Sequence, residues 1–215
     1  MNMPSLIPEP GSPIDRVATF LMANLMWVAF AAIIITLPAA TAGLFATLAP
    51  WVRGKDTELF SRFFGTMRRQ WLKSTVIAVI DVVIGIIVIF NFRAFALMGP
   101  DNLLVLIMSS VNIFVIMTVL MANLYIWPLL VLFDLPLRRL LNVSLRLVLG
   151  HPFWSFLVLG IVLLMVVVGL YLPPVVTILC LFSAIALVVN WGSWRIIQKY
   201  TSPEELAELN SPTQN

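Results

Sequence analysis

Charge is scarce in this chain. Only 11% of its 215 residues are Asp, Glu, Lys or Arg, where a soluble domain carries roughly a quarter. Cysteine and histidine occur once each, as Cys180 and His151. A lone cysteine excludes an intrachain disulfide and a CxxC centre. One His with one Cys does not make a usual zinc site. No GxSxG elbow and no phosphate-binding glycine loop is present. Neither a metal nor a cofactor is expected, and nothing in the chain reads as an enzyme. A water-soluble domain is excluded as well, since 61% of residues are hydrophobic and mean hydropathy is +1.03.

In place of charge the chain has long apolar runs. No Asp, Glu, Lys or Arg occurs between Arg16 and Arg53, between Asp101 and Asp134, or between Arg146 and Arg195. Each gap exceeds the roughly 18 residues of a candidate membrane helix. Backbone in lipid must satisfy its own hydrogen bonds, and continuous runs without period-2 alternation do so as helices. The expected fold is all-α: a polytopic integral membrane helical bundle, one domain over 1–200, with a polar tail over 201–215. Net charge is +3, but the basic residues sit between apolar runs, where positive-inside bias places them. The expected partner is therefore the lipid bilayer of the cell membrane and not nucleic acid.

The segments fall near 17–37, 38–53, 74–92, 102–133, 153–172 and 174–194, with Pro128 a bend point and Pro173-Pro174 a turn. Two amphipathic helices are expected at the interface, over 56–71 and 134–149, each with an apolar stripe opposite arginines. Arg62 and Arg69 on the first, with Arg138, Arg139 and Arg146 on the second, form a candidate surface for a cytoplasmic partner. Trp51, Trp71, Trp127, Trp154, Trp191 and Trp194 fall near segment ends, as an aromatic belt does. Pro203 to Leu209 reads as one or two helical turns.

The segment count turns on TLPAATAGLFATLAPWVRGK, from Thr36 to Lys55. Ala40-Thr41-Ala42 has the small-x-small form of a signal-peptide site, but the apolar run before it is longer than an h-region of about 7–15 residues. A re-entrant loop gives five spans and needs its backbone buried in protein. A short second span gives six: Pro38 sits near its start, where the missing N–H is harmless, and its small residues suit close helix contact. Six segments are preferred, which puts both termini in the cytoplasm and leaves Arg93 the only basic residue outside.

The two polar connections resemble each other at an offset near 77 residues, Phe60 against Leu137. Pro50 stands six residues before Asp56, and Pro128 six before Asp134. Phe63-Phe64 then match Leu140-Leu141, and Arg69 matches Arg146. Such units point the same way, as in a parallel internal repeat.

SPIDR leads from Ser12 into a span ending LPAATAGLFATL, followed by VRGKDTELFSRFFGTMRRQW and later by YIWPLLVLFDLPLRRLLNVSLRLVLGHP. In order and wording these stretches resemble the YesL family of bacterial multispanning membrane proteins, from about Gly11 to Tyr171. The resemblance carries no activity over residue by residue. Members are often encoded beside carbohydrate ABC transporters and polysaccharide-degrading enzymes. It thus implies an accessory or scaffold component associated with carbohydrate uptake, with an ABC permease or a second copy as partner.

One carboxylate, Asp81, stands mid-segment. A charge there costs roughly 2.5–3.5 kcal/mol on insertion scales, so it is a functional candidate by default. With Asn112 and Asn24 it makes a candidate intramembrane polar site, and the alternative function is a self-contained small-solute transporter built around it. A structural alternative is an Asp bonded to another helix through Asn112, Ser109 or Asn24.

Overall fold

The computed structural model describes residues 12–98 and 103–210, without the side chains of residues 205, 207, 208 and 210. Gly11, where the resemblance begins, and Asn102, the expected start of the fourth segment, lie outside these residues, as does the tail beyond Asn210. Among the described residues there is no strand, and six helices are long and apolar enough to cross a membrane. The expected helical membrane class holds, with six segments instead of five.

Helix α1 covers Pro13–Ala31. It begins before the expected 17 because SPID is a start signal: Ser12 Oγ accepts the Asp15 N–H at 3.2 Å and Pro13 occupies the first turn. It stops at Ala31, not Leu37. The β-branched run Ile33-Ile34-Ile35 follows, Ile34–Thr36 forms one tight 3₁₀ turn, and Pro38 enters the first turn of the next helix. Helix α2, Leu37–Val52, is the questioned stretch. At 16 residues it is about 24 Å long. It is also the most enclosed span, with 67% of its apolar window buried against 17% for α1. Ala39, Ala40, Ala42, Gly43, Ala46 and Ala49 are all buried, so the small residues do what their type permits. They let α1, α3, α4 and α7 (Pro174–Ile197) close around α2.

Helix α3 runs unbroken from Leu59 to Met98, 40 residues and about 60 Å. The expected amphipathic elbow over 56–71 and span over 74–92 are thus one helix, because no Pro or Gly lies between Trp71 and Ser74 to interrupt it. Helix α4, Leu103–Leu132, keeps Pro128 inside it and buried. Helix α5, Leu137–Gly150, is the second amphipathic piece and does end, at Gly150-His151-Pro152. Pro152 opens α6, Pro152–Tyr171, and its ring disfavours helical backbone at His151, which has φ −135° and ψ 54°. Pro173-Pro174 turns the chain into α7, and a short helix α8, Pro203–Asn210, carries the tail.

The repeat survives in three dimensions. The first part of α3 folds back on α2, and α5 folds back on α4. Phe63 and Leu140, paired by the offset, are both 0% exposed. The two aspartates serve alike: Asp56 accepts from Arg16 Nη2 at 3.0 Å, and Asp134 from Lys73 Nζ at 2.5 Å. Each ties the turn after one helix to the element before that helix. Exposed pairs of this kind add at most about 1 kcal/mol, so they set register more than stability.

These bonds also collect charge at one end. Arg16 meets Asp56, Lys73 meets Asp134, Arg53 lies over Trp194, and His151 meets Tyr200. Of the 13 Lys and Arg residues only Arg93 falls on the far half of the α3–α4 hairpin. Trp154 and Trp191 sit at the basic end too, both under Arg195 at 5.7 and 5.4 Å.

Candidate functional site

The expected polar site does not assemble. Asp81 on α3 is half-buried and accepts a hydrogen bond from Asn123 Nδ2 on α4 at 3.0 Å. Asn123 also accepts from Trp127 Nε1 at 3.1 Å. Asn112 lies elsewhere on α4, donating to the Val88 carbonyl at 3.1 Å and accepting from Asn91 at 3.2 Å. Asn24 belongs to α1 and bonds to α7. The three residues are therefore parts of separate helix contacts, and the partner of Asp81 is Asn123, not Asn112, Ser109 or Asn24. No alignment of residue types could reveal this, since pairing across α3 and α4 depends on their register. Asp81→Asn keeps a group that can accept from Asn123. It is expected to shift stability by no more than about 1 kcal/mol, within the range of intramembrane hydrogen bonds. Thermal unfolding in detergent measures this, and a larger loss marks the carboxylate itself as needed.

Asn24 has a more specific task. Residues Thr177–Leu181 of α7 form a π turn, in which backbone bonds widen from i→i+4 to i→i+5. The Asn24 amide inserts into that opening. Its Nδ2 donates to the Ile178 carbonyl, and its Oδ1 accepts the Ser183 N–H at 2.7 Å. Ile178 and Ser183 are five residues apart, so one side chain bridges the widened pair. Ser183 Oγ returns a bond to the Phe20 carbonyl at 3.1 Å.

The five arginines expected to form one surface divide into two groups. Arg138, Arg139 and Arg146 are exposed on α5. Arg62 and Arg69 instead line a cavity of about 580 Å³ at the basic end, with Arg53, Ser61, Thr66 and Asp134. Its geometry starts from the end of α2. Gly54, at φ 73°, closes a Schellman motif in which the Lys55 N–H bonds to Pro50 O at 3.1 Å and the Gly54 N–H to Trp51 O at 3.0 Å. That turn brings Arg53 and Lys55 to the same neighbour. Arg53 Nη1 and Lys55 Nζ donate to the Leu209 carbonyl of α8 at 2.8 and 2.9 Å. Arg53 also lies 5.8 Å from the Trp194 ring centre.

The electrostatics follow from crowding. Burial, and then the charge of Arg62, lower the Arg53 pKa from its ordinary value. Lys55 is lowered by desolvation, then by Arg53 and Arg62. The one carboxylate among the described lining residues, Asp134, is already engaged by Lys73 at 2.5 Å and Gln70 at 3.1 Å. The Lys73 bond, and next that from Gln70, hold its carboxyl below the usual range. Arg53, Lys55 and Gln70 are the residues that sequence reasoning missed. The only signal was the repeated Pro-to-Asp spacing, which pointed to Asp134 but not to what it meets. Among the described residues no group of three His, Cys, Asp or Glu side chains is placed to hold a metal.

Residues 20–92 match the family model DUF624, described as a protein of unknown function. The chain is 28% identical over 135 residues to the uncharacterized protein YesL of Bacillus subtilis (strain 168), covering 60% of this chain and 61% of YesL. YteU of the same organism is 27% identical over 167 residues, covering 75% of this chain and 73% of YteU. YesV is 28% identical over 107 residues, covering 49% and 50%. The match to YesL thus spans less than two thirds of that protein. No solved structure matches the chain. These similarities support a YesL-like family of unknown function, as the quoted motifs imply.

Proposed function

We propose that this chain is a non-catalytic accessory or scaffold component of the cell membrane, working beside a carbohydrate uptake system of the ABC type. The observation that carries the scaffold part is the α3–α4 hairpin. Only 11% of the apolar window of α3 and 6% of that of α4 are buried within the chain. Beyond Asp81 the two helices are zipped to each other by Asn91, Asn112 and Val88, and their outer faces carry Ile86, Ile87, Phe90, Ile107 and Phe114 exposed. Such an arm offers packing surface to lipid, to permease helices or to a second copy. Meanwhile Asp81, Asn112 and Asn24 are not among the described residues that line the cavity at the basic end, which favours packing over passage. The carbohydrate association rests on the resemblance in wording to YesL-family sequences.

Purification of the tagged chain in mild detergent tests this, with co-purification of a permease as the expected result. Substrate uptake by the isolated protein in liposomes overturns it in favour of the transporter reading. That second reading draws its support from Asp81, a carboxylate on a span at the insertion cost given above.

The collection of basic residues at one end makes that end cytoplasmic by the positive-inside rule, and with it both termini. A topology reporter fused just before Ser12 is expected to report the cytoplasm. A periplasmic signal would reverse the orientation.

A further inference from the structure

We propose that the Trp154–Trp191 pair at the basic end seats one anionic phospholipid, with its phosphate on Arg195 and its acyl chains in the apolar grooves beside the two rings. Arg195, in the last turn of α7, is exposed and lies over both indoles. Among the described residues it has no ion pair, and none of its N–H groups makes a hydrogen bond. An indole face attracts a cation but carries no net charge. The last carbonyls of α7 share only about half an elementary negative charge. The guanidinium is thus held in place with its donors unused, and a guanidinium fork suits phosphate oxygens. Lys199, just past the helix end, is a second exposed cation with no ion pair among the described residues.

The rings are set by the fold itself. Trp154 Nε1 donates to the Gly192 carbonyl at 2.8 Å, and the two ring centres stand 5.8 Å apart. Gly192 permits this approach: a Cβ there would meet Val158 Cγ2 at 2.7 Å, so α6 and α7 close together at that point. Each ring then walls one apolar groove. Trp154 shares the first, of about 450 Å³, with Phe153 and Leu157. Trp191 shares the second, of about 430 Å³, with Trp51, Leu187 and Val188. Both fall in the range of small-ligand clefts, roughly 300–1,000 Å³. From Leu187 to the end of α7 at Ile197 is about 15 Å, so the second groove runs from the headgroup level well into the apolar layer. A soluble anion leaves both grooves without the apolar groups that suit them. A choline headgroup brings a cation to rings that Arg195 already covers. A two-chain lipid of net negative charge matches the cation and both grooves together.

The test uses the full chain in phosphatidylcholine nanodiscs with a rising share of phosphatidylglycerol. Lipid retained after mild detergent extraction is counted by native mass spectrometry, which gives the phosphatidylglycerol share at half occupancy. One retained phosphatidylglycerol per chain is expected. Arg195→Gln is expected to raise the half-occupancy share roughly fivefold, the scale of one basic side chain near an anionic membrane surface. Arg195→Lys keeps the charge and is expected to recover part of that loss. Arg138→Gln removes an exposed arginine at the same end that has no indole beneath it, and is expected to change nothing. Leu157→Trp fills the first groove from a side chain that is 54% exposed, so it tests the chain seat without disturbing the core or the charge; weaker retention is expected. No retained phosphatidylglycerol, or an equal shift in Arg138→Gln and Arg195→Gln, overturns the site. Equal retention of phosphatidylcholine overturns the choice of an anionic lipid, and unchanged retention in Leu157→Trp overturns the role of the grooves.

Discussion

Asn24→Leu is expected to destabilise the bundle more than removal of any other intramembrane amide. Hydrogen bonds between membrane helices average only about 0.6 kcal/mol, because the side chains also find partners when the helices are unpacked in the membrane. Asn112 is of that kind, adding to the Val88 carbonyl and to Asn91. Asn24 differs because it serves the two backbone groups of a π turn, Ile178 and Ser183, at a position 0% exposed. Each group left buried and unpaired costs about 1–3 kcal/mol. The helix has one escape, which is to tighten into a regular α-helix. Losing the extra residue of the π turn rotates everything beyond it by about 100°. That rotation unseats Asn190 from the Phe45 carbonyl and Ser193 from the Leu124 carbonyl. Both outcomes are destabilising. Thermal unfolding of Asn24→Leu beside Asn112→Leu makes the comparison, with a loss of roughly 2–5 kcal/mol expected for the first and about 1 kcal/mol or less for the second. Equal losses would show that the π turn does not depend on Asn24.

Gly43→Leu is the second substitution with a large expected effect. A Cβ at Gly43 meets the Phe63 carbonyl oxygen at 3.0 Å and the Phe63 ring at 3.2 Å. The ring is fully buried and also packs near Phe30, at 6.2 Å between centroids, so it has little room to yield. The backbone oxygen can move only if α3 moves away from α2. Overpacking of this kind costs about 1–3 kcal/mol, at times more, and here it falls on the most enclosed contact in the bundle. The expected result is a lower melting temperature and a smaller monodisperse fraction on size exclusion. Phe63→Ala in the same chain is expected to return part of the loss, because neighbouring changes do not add. Absence of any recovery would mean that the strain lies in the backbone contact alone.

Much of the architecture was legible in advance, and for definite reasons. Gaps in charge reveal spans because lipid penalises charge anywhere along them. Pro38 and the alanines after it mark a short buried helix, because a restricted backbone and small side chains have the same effect in most settings. The repeat was legible because Pro50 and Asp56 match Pro128 and Asp134 at the same spacing, and spacing along a chain needs no third dimension. Helix boundaries were less legible. The apolar stripe over 56–71 looks the same whether it ends in an elbow or continues into a span. A Gly-His-Pro break distinguishes α5–α6, and nothing comparable interrupts α3.

The candidate site was legible only in part. Arg62 and Arg69 stand out as cations on an amphipathic helix, but so do Arg138, Arg139 and Arg146, and periodicity cannot separate a cavity wall from an exposed face. Asp81, Asn112 and Asn24 stand out alike as polar groups among apolar ones. Which of them meet depends on helix order, tilt and register. Residue types and their spacing are local properties, and they suffice for class, span count and the charge of each connection. The division of the arginines, the partner of Asp81, the seat of Asn24 in a π turn and the meeting of Arg53 with Leu209 are properties of packing. The last of these joins residues 156 apart in sequence, a separation that no local pattern can encode.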